Sequence, residues 1–302
     1  MMYGEMLPQH IIEKYELAGK ITRDALQYGC SLLKTGIPLL EVATKVEAYT
    51  VDHGGSIAFP VNIAIDDIAA HFTPKHDDRT VFNKGNLVKL DIGVHIDGYI
   101  ADAAASIEIA TNRYIELIRA AQEALEIAIE LIRPGVSLEL IGDAIERTIN
   151  SYGYVPISNL TGHSMERYKL HAGISIPNVK EHVDAKIKEG DVLAIEPFAT
   201  TGTGKVKGYK RSNIYRYLRD RKARTPEAEK LLAVIRDVQR GLPFSERWCT
   251  KYVSEPSQVL RDLVKLGAIT SYPILREMKN GMVAQSEHTV IVTANGCKIV
   301  TL

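Results

Sequence analysis

The sequence predicts an α+β fold made of two pseudo-equivalent helix–helix–strand halves, with an antiparallel sheet flanked by helices and one site built between the halves. Three observations carry this. "LLKTGIPLLEV" (32–42) and "LIRPGVSLELI" (131–141) align at an offset of 99, sharing leucine, base, glycine and aliphatic positions. "KGNLVKLDIG" (84–93) and "KEGDVLAIEP" (188–197) align at an offset of 105, each a Lys/Gly turn running into aliphatics, and Asp91 falls on Glu196. "KLDIGVHIDGYIADAAAS" (89–106) contains Asp97-Gly98, the strongest short hairpin signal, because a tight turn that matches strand twist requires positive φ. A repeat that sets an acid on an acid argues for a duplication with a shared purpose.

Taken in order, helical periodicity covers about 9–34 and stops at "KTGIP", and a second helix covers 39–52 and ends at Gly54-Gly55. The hairpin follows. "NRYIELIRAAQEALEIAIELI" is a long amphipathic helix ended by "RPG", and "SLELIGDAIERTINSYG" is another, with Ser137 as its N-cap. After Glu196 the chain turns basic: residues 205–279 hold 18 Lys/Arg against 8 Asp/Glu. That stretch contains two segments with good helix starts, "TPEAEKLLAVIRDVQRG" and "EPSQVLRDLVKLG". "VAQSEHTVIVTANG" then returns to strand pattern. The expected organisation is one domain over 1–204 and 281–302, with a small basic, helical, winged-helix-like insertion over 205–280.

The bulk numbers limit the function. The chain has 302 residues, 45% apolar, with 37 bases against 37 acids, so no global attraction to nucleic acid or anionic membrane follows. Cys30, Cys249 and Cys297 are scattered and lack metal-ligand spacing, as expected of reduced thiols in a cytoplasmic protein. No stretch has the pattern of a signal peptide or a membrane span.

The hairpin raises the chemical question. With Asp97-Gly98 as its loop, facing positions sum to 195, so Asp91 faces Ala104 and Asp102 faces Gly93. Both aspartates then share one face as diagonal neighbours, with Cα atoms roughly 7–8 Å apart, while Leu90, Ile92, Val94 and Ile96 form the core face. Two converging carboxylates share a proton, pair with bases or bind metal. Across the chain, the acids and histidines in strand or strand-edge contexts are His71, Asp91, Asp102, His163, His171, Glu196 and Glu287. Four carboxylates with one or two imidazoles suit a pair of divalent Mn, Fe, Co or Zn ions, and a water bridging such a pair is a nucleophile near neutral pH. His76 and His95 read as structural.

"LDIGVHIDGYIADAA", "LTGHSMERYKLHAG", "LAIEPFATTGTGKV" and "AQSEHTVIV" resemble, in matching order, the motifs of methionine aminopeptidases, which share a duplicated "pita-bread" fold. Gly-His-Ser at 162–164, "AAHFTP" at 69–74 and the long insert between Glu196 and Glu287 resemble type II, in its compact archaeal form. The resemblance implies a metal-dependent aminopeptidase that removes the initiator methionine of nascent polypeptides when the second residue is small. It implies five metal ligands: Asp91 on one ion, His163 and Glu196 on the other, Asp102 and Glu287 bridging. Glu196 would carry a proton. His71 is expected near the leaving amide and His171 near the substrate carbonyl, with Phe59 and Tyr272 lining the methionine pocket. Pro197-Phe198 departs from the Thr-Phe of eukaryotic type II enzymes, with no effect expected on ligation.

Two other readings compete. An X-Pro peptidase shares the fold, but Asp91 comes too early for that group's extra N-terminal domain. An RNA- or protein-binding factor would suit the basic stretch "KVKGYKRSNIYRYLRDRKAR" (205–224), but such relatives typically lack the ligand residues present here. The same stretch makes the ribosome a candidate partner. The expectation is a monomer that does not bind membranes.

Overall fold

The computed structural model describes residues 6–302. The first half comprises α1 (Gln9–Leu32), α2 (Leu39–Asp52), β1 (Ser56–Ile65), β2 (Ile68–Ala70), β3 (Leu87–Ile96) and β4 (Tyr99–Glu108). The second comprises α3 (Ile115–Leu131), α4 (Leu138–Ser151), β5 (Val155–Pro156), β6 (Thr161–Ser164), β7 (Ser175–Pro177), β8 (Val192–Ile195) and β9 (Phe198–Thr200). In each half two helices cover one face of an antiparallel sheet. Leu39, Val42 and Val46 of α2 pack with Ile63, Leu90, Ile92 and Val94 of the first sheet. Leu125, Ile141 and Ile145 of α3 and α4 pack with Leu193, Ile195 and Val290 of the second.

The two sequence offsets survive as hydrogen bonds. The Gly36 N–H donates to the Phe82 carbonyl at 2.8 Å, and the Gly135 N–H donates to the Ile187 carbonyl at 2.8 Å. The return bonds, Phe82 N–H to Ile37 and Ile187 N–H to Val136, span 3.0 and 3.3 Å. Each partner pair is related by the offsets 99 and 105, so the duplication read in the sequence is a duplication of structure. The hairpin also has the expected register, with Ile96 facing Tyr99 and Asp91 facing Ala104. Asp97 and Gly98 both take positive φ, 52° and 88°, as a turn matching the strand twist demands.

Two expectations need correcting. Ser137 stands at the head of α4 without a side-chain capping bond; its backbone instead bridges to Lys186. The stretch 205–280 is not simply helical. It opens with β10 (Val206–Tyr217), runs through α5 (Pro226–Val234, extended by a π-helical turn over Ile235–Gln239), β11 (Phe244–Ser245), α6 (Glu246–Cys249) and α7 (Pro256–Leu266), and closes with β12 (Ile269–Glu277). β10 pairs antiparallel with β12, and β12 pairs with β2, so the insert's stem is part of a mixed-origin sheet. Leu231, Ile235, Phe244, Leu260, Leu263 and Ile269 give this segment an apolar cluster of its own. The strands escape sequence reading because β10 exposes Lys207, Tyr209, Lys210 and Arg211 in near succession, which erases the period-2 alternation of a half-buried strand.

The chain finishes with β13 (Val283–Gln285), β14 (His288–Thr293) and β15 (Gly296–Ile299). The main sheets run β1-β3-β4 and β15-β14-β8-β6-β7. Among the described residues no helix is long and apolar enough to cross a membrane.

Candidate metal centre and substrate pocket

A seam between the two sheets builds the site. Ala104 on β4 bridges Glu287, with the Glu287 N–H donating to the Ala104 carbonyl at 3.0 Å. Two positions away, the Asp102 N–H donates to Thr289 Oγ1 at 2.7 Å, and that hydroxyl donates to the Asp102 carbonyl at 2.8 Å. On the other side, Ser106 Oγ donates to the Gln285 carbonyl at 2.7 Å and accepts from its N–H at 2.8 Å. Hydroxyls thus replace ladder bonds where the two halves meet.

Once the seam is closed, register alone aligns the candidate ligands. Asn62 faces Asp91, Asp91 faces Ala104, and Ala104 faces Glu287. His288 faces Ile195, so the same register carries Glu287 to Glu196 one step further. The adjacent row runs Phe59, Gly93, Asp102, Thr289, Ala194, His163. Directly opposed residues share a face, so two neighbouring rows of one composite sheet present all five ligand-type side chains to the same side. Phe59 and Asn62 are three positions apart and would ordinarily point to opposite faces. A bulge between them, at Pro60 where a strand tolerates proline, restores the shared face.

One cavity is lined by all nine residues singled out in the sequence: Phe59, His71, Asp91, Asp102, His163, His171, Glu196, Tyr272 and Glu287. His76 and His95 lie outside it, and His95 Nδ1 accepts the Gly98 N–H at 3.0 Å, a structural role. His163 Nε2 stands 3.7 Å from both Asp102 Oδ2 and Glu196 Oε1. Asp102, His163 and Glu287 can each offer an atom within 4.8 Å of the others. The rings of His163 and His171 are 4.5 Å apart, and His71 meets Tyr272 edge-on at 5.2 Å.

The electrostatics of this cluster need a cation or protons. Burial pushes the Asp91 carboxyl up to about 7. Burial, then the neighbouring negative charges, raise Asp102, Glu196 and Glu287 well above the carboxylate range. Burial, then His171, holds His163 down at about 3, so its imidazole is neutral and keeps a lone pair. Asp91 Oδ1, Asp102 Oδ1, Glu287 Oε1 and His163 Nδ1 are buried without any hydrogen-bond partner in the protein. Buried polar atoms are otherwise nearly always paired, so orphaned oxygens on one face fit metal ligation. A carboxylate-rich set with one imidazole is the donor chemistry of Mn, Fe, Co or Zn.

Several residues in or behind the cavity wall were not legible in the sequence. Gln285, 2% exposed, donates from Nε2 to Glu287 Oε2 at 3.1 Å and to Glu196 Oε2 at 3.4 Å. Asn62 donates to the Pro60 carbonyl at 3.0 Å and leaves its Oδ1 unpaired beside Asp91. Leu170, Ile214 and Pro243 supply apolar wall. His71 adopts left-handed φ of 62°, strained for a side-chain-bearing residue and typical of functional positions. Only Gln285 gave a signal, by its period-2 spacing from Glu287. Gly93 fixes Phe59: a Cβ there would strike the phenyl ring. Gly93→Ala is therefore expected to displace Phe59 and raise KM about tenfold, the cost of modest overpacking, measured by steady-state kinetics on a Met-Ala-Ser peptide.

Comparison with known proteins gives the family. Residues 13–294 match metallopeptidase family M24. The methionine aminopeptidase of Thermococcus onnurineus is 49% identical over 287 residues, 94% of this chain and 97% of that protein. That of Methanocaldococcus jannaschii is 47% identical over 293 residues, 97% of this chain and 98% of its own. Among solved structures, a thermophilic Arx1 superposes with a TM-score of 0.86 at 18% identity, covering 97% of this chain and 91% of that one. Methionine aminopeptidase from Thermotoga maritima gives 0.72 at 23% identity, with 98% of each chain covered. The prolidase of Pyrococcus furiosus gives 0.62 at 20% identity, and only 65% of its length is covered. At those identities the structures speak to the pita-bread fold alone, and the sequence relatives speak to activity. The chain belongs to metallopeptidase family M24, among the methionine aminopeptidases, the enzymes that remove the initiator methionine.

Proposed function

We propose that Asp91, Asp102, His163, Glu196 and Glu287 hold two divalent ions, and that the chain releases methionine from peptides whose second residue is small. The observation that carries this reading is the convergence of five ligand-type side chains on two adjacent rows, with buried oxygens left unpaired. In this assignment Asp91 would serve one ion, His163 and Glu196 the other, and Asp102 and Glu287 would serve both. When bound, such ions polarise the scissile carbonyl and lower the pKa of a water to near neutrality.

The protein's own groups do the rest. Glu196, beside His163 Nε2 at 3.7 Å and lining the cavity, is placed to take a proton and pass it on. His71 donates from Nδ1 to the Pro273 carbonyl at 3.2 Å, which leaves Nε2 as an acceptor for the N–H of the scissile amide. Burial holds His71 at about 4, so it is neutral at pH 7. His171, on the exposed side of His163, donates to the oxygen on which negative charge develops. Phe59, Tyr272, Leu170 and Ile214 bind the methionine side chain. The His71–Tyr272 pair closes on the next position, which supports a preference for a small second residue.

Metal-loaded protein, given Met-Ala-Ser, Met-Leu-Ser and Ala-Pro-Ser peptides, is expected to release methionine from the first alone, read by mass spectrometry. Cleavage of Ala-Pro-Ser instead would move the reading to an X-Pro peptidase. Gln285→Ala is expected to weaken metal binding by about 10–100-fold, because Glu196 and Glu287 lose the donor that orients them; isothermal titration with Mn(II) measures it.

A ribosomal partner has a specific support. Lys207, Lys210, Arg211, Arg219 and Arg221 are exposed along β10 and the loop after it, with no acid but Asp220 in that stretch. Binding to ribosomes is expected to weaken steeply with salt, as counterion release requires. Co-sedimentation that is absent, or indifferent to salt, would remove the partner.

A further inference from the structure

We propose that the buried Glu47–Arg247 ion pair is a latch that docks the insert on the catalytic half and thereby sets the walls of the methionine pocket. Both are positioning residues, neither touching the cavity, and the proposal rests on the reading of that cavity as a methionine pocket.

Glu47 lies on α2 and Arg247 on α6, two hundred residues apart, each 8% exposed. Arg247 Nη2 pairs with Glu47 Oε1. Trp248, the neighbour of Arg247 and the chain's one tryptophan, donates from Nε1 to Glu47 Oε2 at 2.9 Å. The second guanidinium arm, Nη1, donates to Thr73 Oγ1 at 2.6 Å and to the Pro74 carbonyl at 3.1 Å.

The partners of this pair are the chain neighbours of the pocket walls. Glu47 Oε1 accepts the Val61 N–H at 3.3 Å, and the Thr73 hydroxyl donates to the Val61 carbonyl at 2.7 Å. Val61 sits between Phe59 and Asn62, which line the cavity, and Thr73 comes two residues after His71. The Thr73 carbonyl accepts from Asn213 Nδ2 at 3.0 Å, and Asn213 precedes Ile214, another wall. Pro243 stands four residues before Arg247, and Ser245 between them pairs with Ile214 across β10 and β11. One ion pair thus ties together the segments that carry Phe59, His71, Ile214 and Pro243. Asp91, Asp102 and Glu287 lie on β3, β4 and the seam, Glu196 directly follows β8, and none of the bonds of this network reaches their carboxylates. Removing one partner of a buried pair leaves an uncompensated charge that must reach water or shift its surroundings. One side of the pair faces a second groove lined by Glu47, Arg247 and Trp248, and the bonded side holds the segments of the pocket walls, so side-chain selectivity should suffer while metal binding does not.

The test is Glu47→Gln in the full, metal-loaded chain, read by the ratio of kcat/KM for Met-Ala-Ser to that for Leu-Ala-Ser. This ratio is independent of how much enzyme is folded, so a loss of stability alone leaves it unmoved. It is expected to fall by about tenfold, the scale of one misplaced methylene contact. Mn(II) affinity should be unchanged. Trp248→Phe, a milder change that keeps the ion pair, should move the ratio in the same direction by less. An unchanged ratio in both variants overturns the latch. The wild-type arm reads the pocket separately: no methionine release there would remove that reading and the latch's role in it together.

Discussion

Asp91→Asn is expected to lower methionine release by about 10³-fold or more while the protein stays folded. Each effect has a separate cause. The amide keeps the shape of the carboxylate but removes its charge, so one ion of the pair loses the side chain assigned to hold it. Loss of the several kcal/mol that such an ion contributes to charge stabilisation corresponds to at least that factor in rate. Folding should not suffer, because in the metal-free protein the Asp91 carboxyl sits among three other acids with its pKa pushed up to about 7 by burial. A neutral side chain removes that conflict. Steady-state kinetics on Met-Ala-Ser, with circular dichroism as the folding check, measures both.

The second large effect is a reversal of sign in stability between the metal-free and metal-loaded forms. In chelated protein, Asp91 holds its proton up to about pH 7 in the native state, whereas the unfolded chain releases it near 3.8. Between those values the native state binds one more proton, so its stability falls as pH rises, by about 1.4 kcal/mol per pH unit for each such group. Histidines held neutral by burial, such as His71 and His163, act in the opposite direction over part of this range. The difference between Asp91→Asn and wild type holds the Asp91 contribution together with the relief given to Asp102, Glu196 and Glu287, which the Asp91 charge also raises, and both act in the same direction. Metal-free, the variant should become progressively more stable than wild type from about pH 4 to 7 and then level off. With free Mn(II) about 10⁴-fold above the dissociation constant, wild type gains about 5.5 kcal/mol per site, more than the roughly 4 kcal/mol that Asp91 costs the metal-free form at pH 7, and the order should invert. Thermal melts of both proteins with and without chelator decide this; a variant less stable than wild type in chelator at pH 7 would contradict it.

The parts of this site that could be read in the sequence were those pinned by local chemistry. Asp97-Gly98 fixes the hairpin register, and the register places Asp91 and Asp102 on one face with no further information. The offset of 105 brings Glu196 into the same role in the other half, and the composite sheet sets the two halves edge to edge. What could not be read depended on long-range closure. The hydroxyl bonds of Thr289 and Ser106 that sew the halves together leave no periodic trace. The bulge at Pro60 that turns Asn62 toward Asp91 cannot be counted from one strand alone. His71 reaches its left-handed conformation because β12 supplies the Pro273 carbonyl from two hundred residues away. The insert's long strands were hidden by bases on both faces, and pairing with β2 and with each other holds them.

The central claim is that these acids and His163 are metal ligands whose ions are required for methionine release. The most direct measurement is methionine released from Met-Ala-Ser by fully chelated protein during stepwise addition of Mn(II), followed by mass spectrometry alongside calorimetric metal counting. No release is expected before metal, recovery is expected to be complete by two ions per chain, and Asp91→Asn should stay about 10³-fold or more below wild type at every metal level. Full release by the chelated protein, or by Asp91→Asn at the same metal level as wild type, would contradict it.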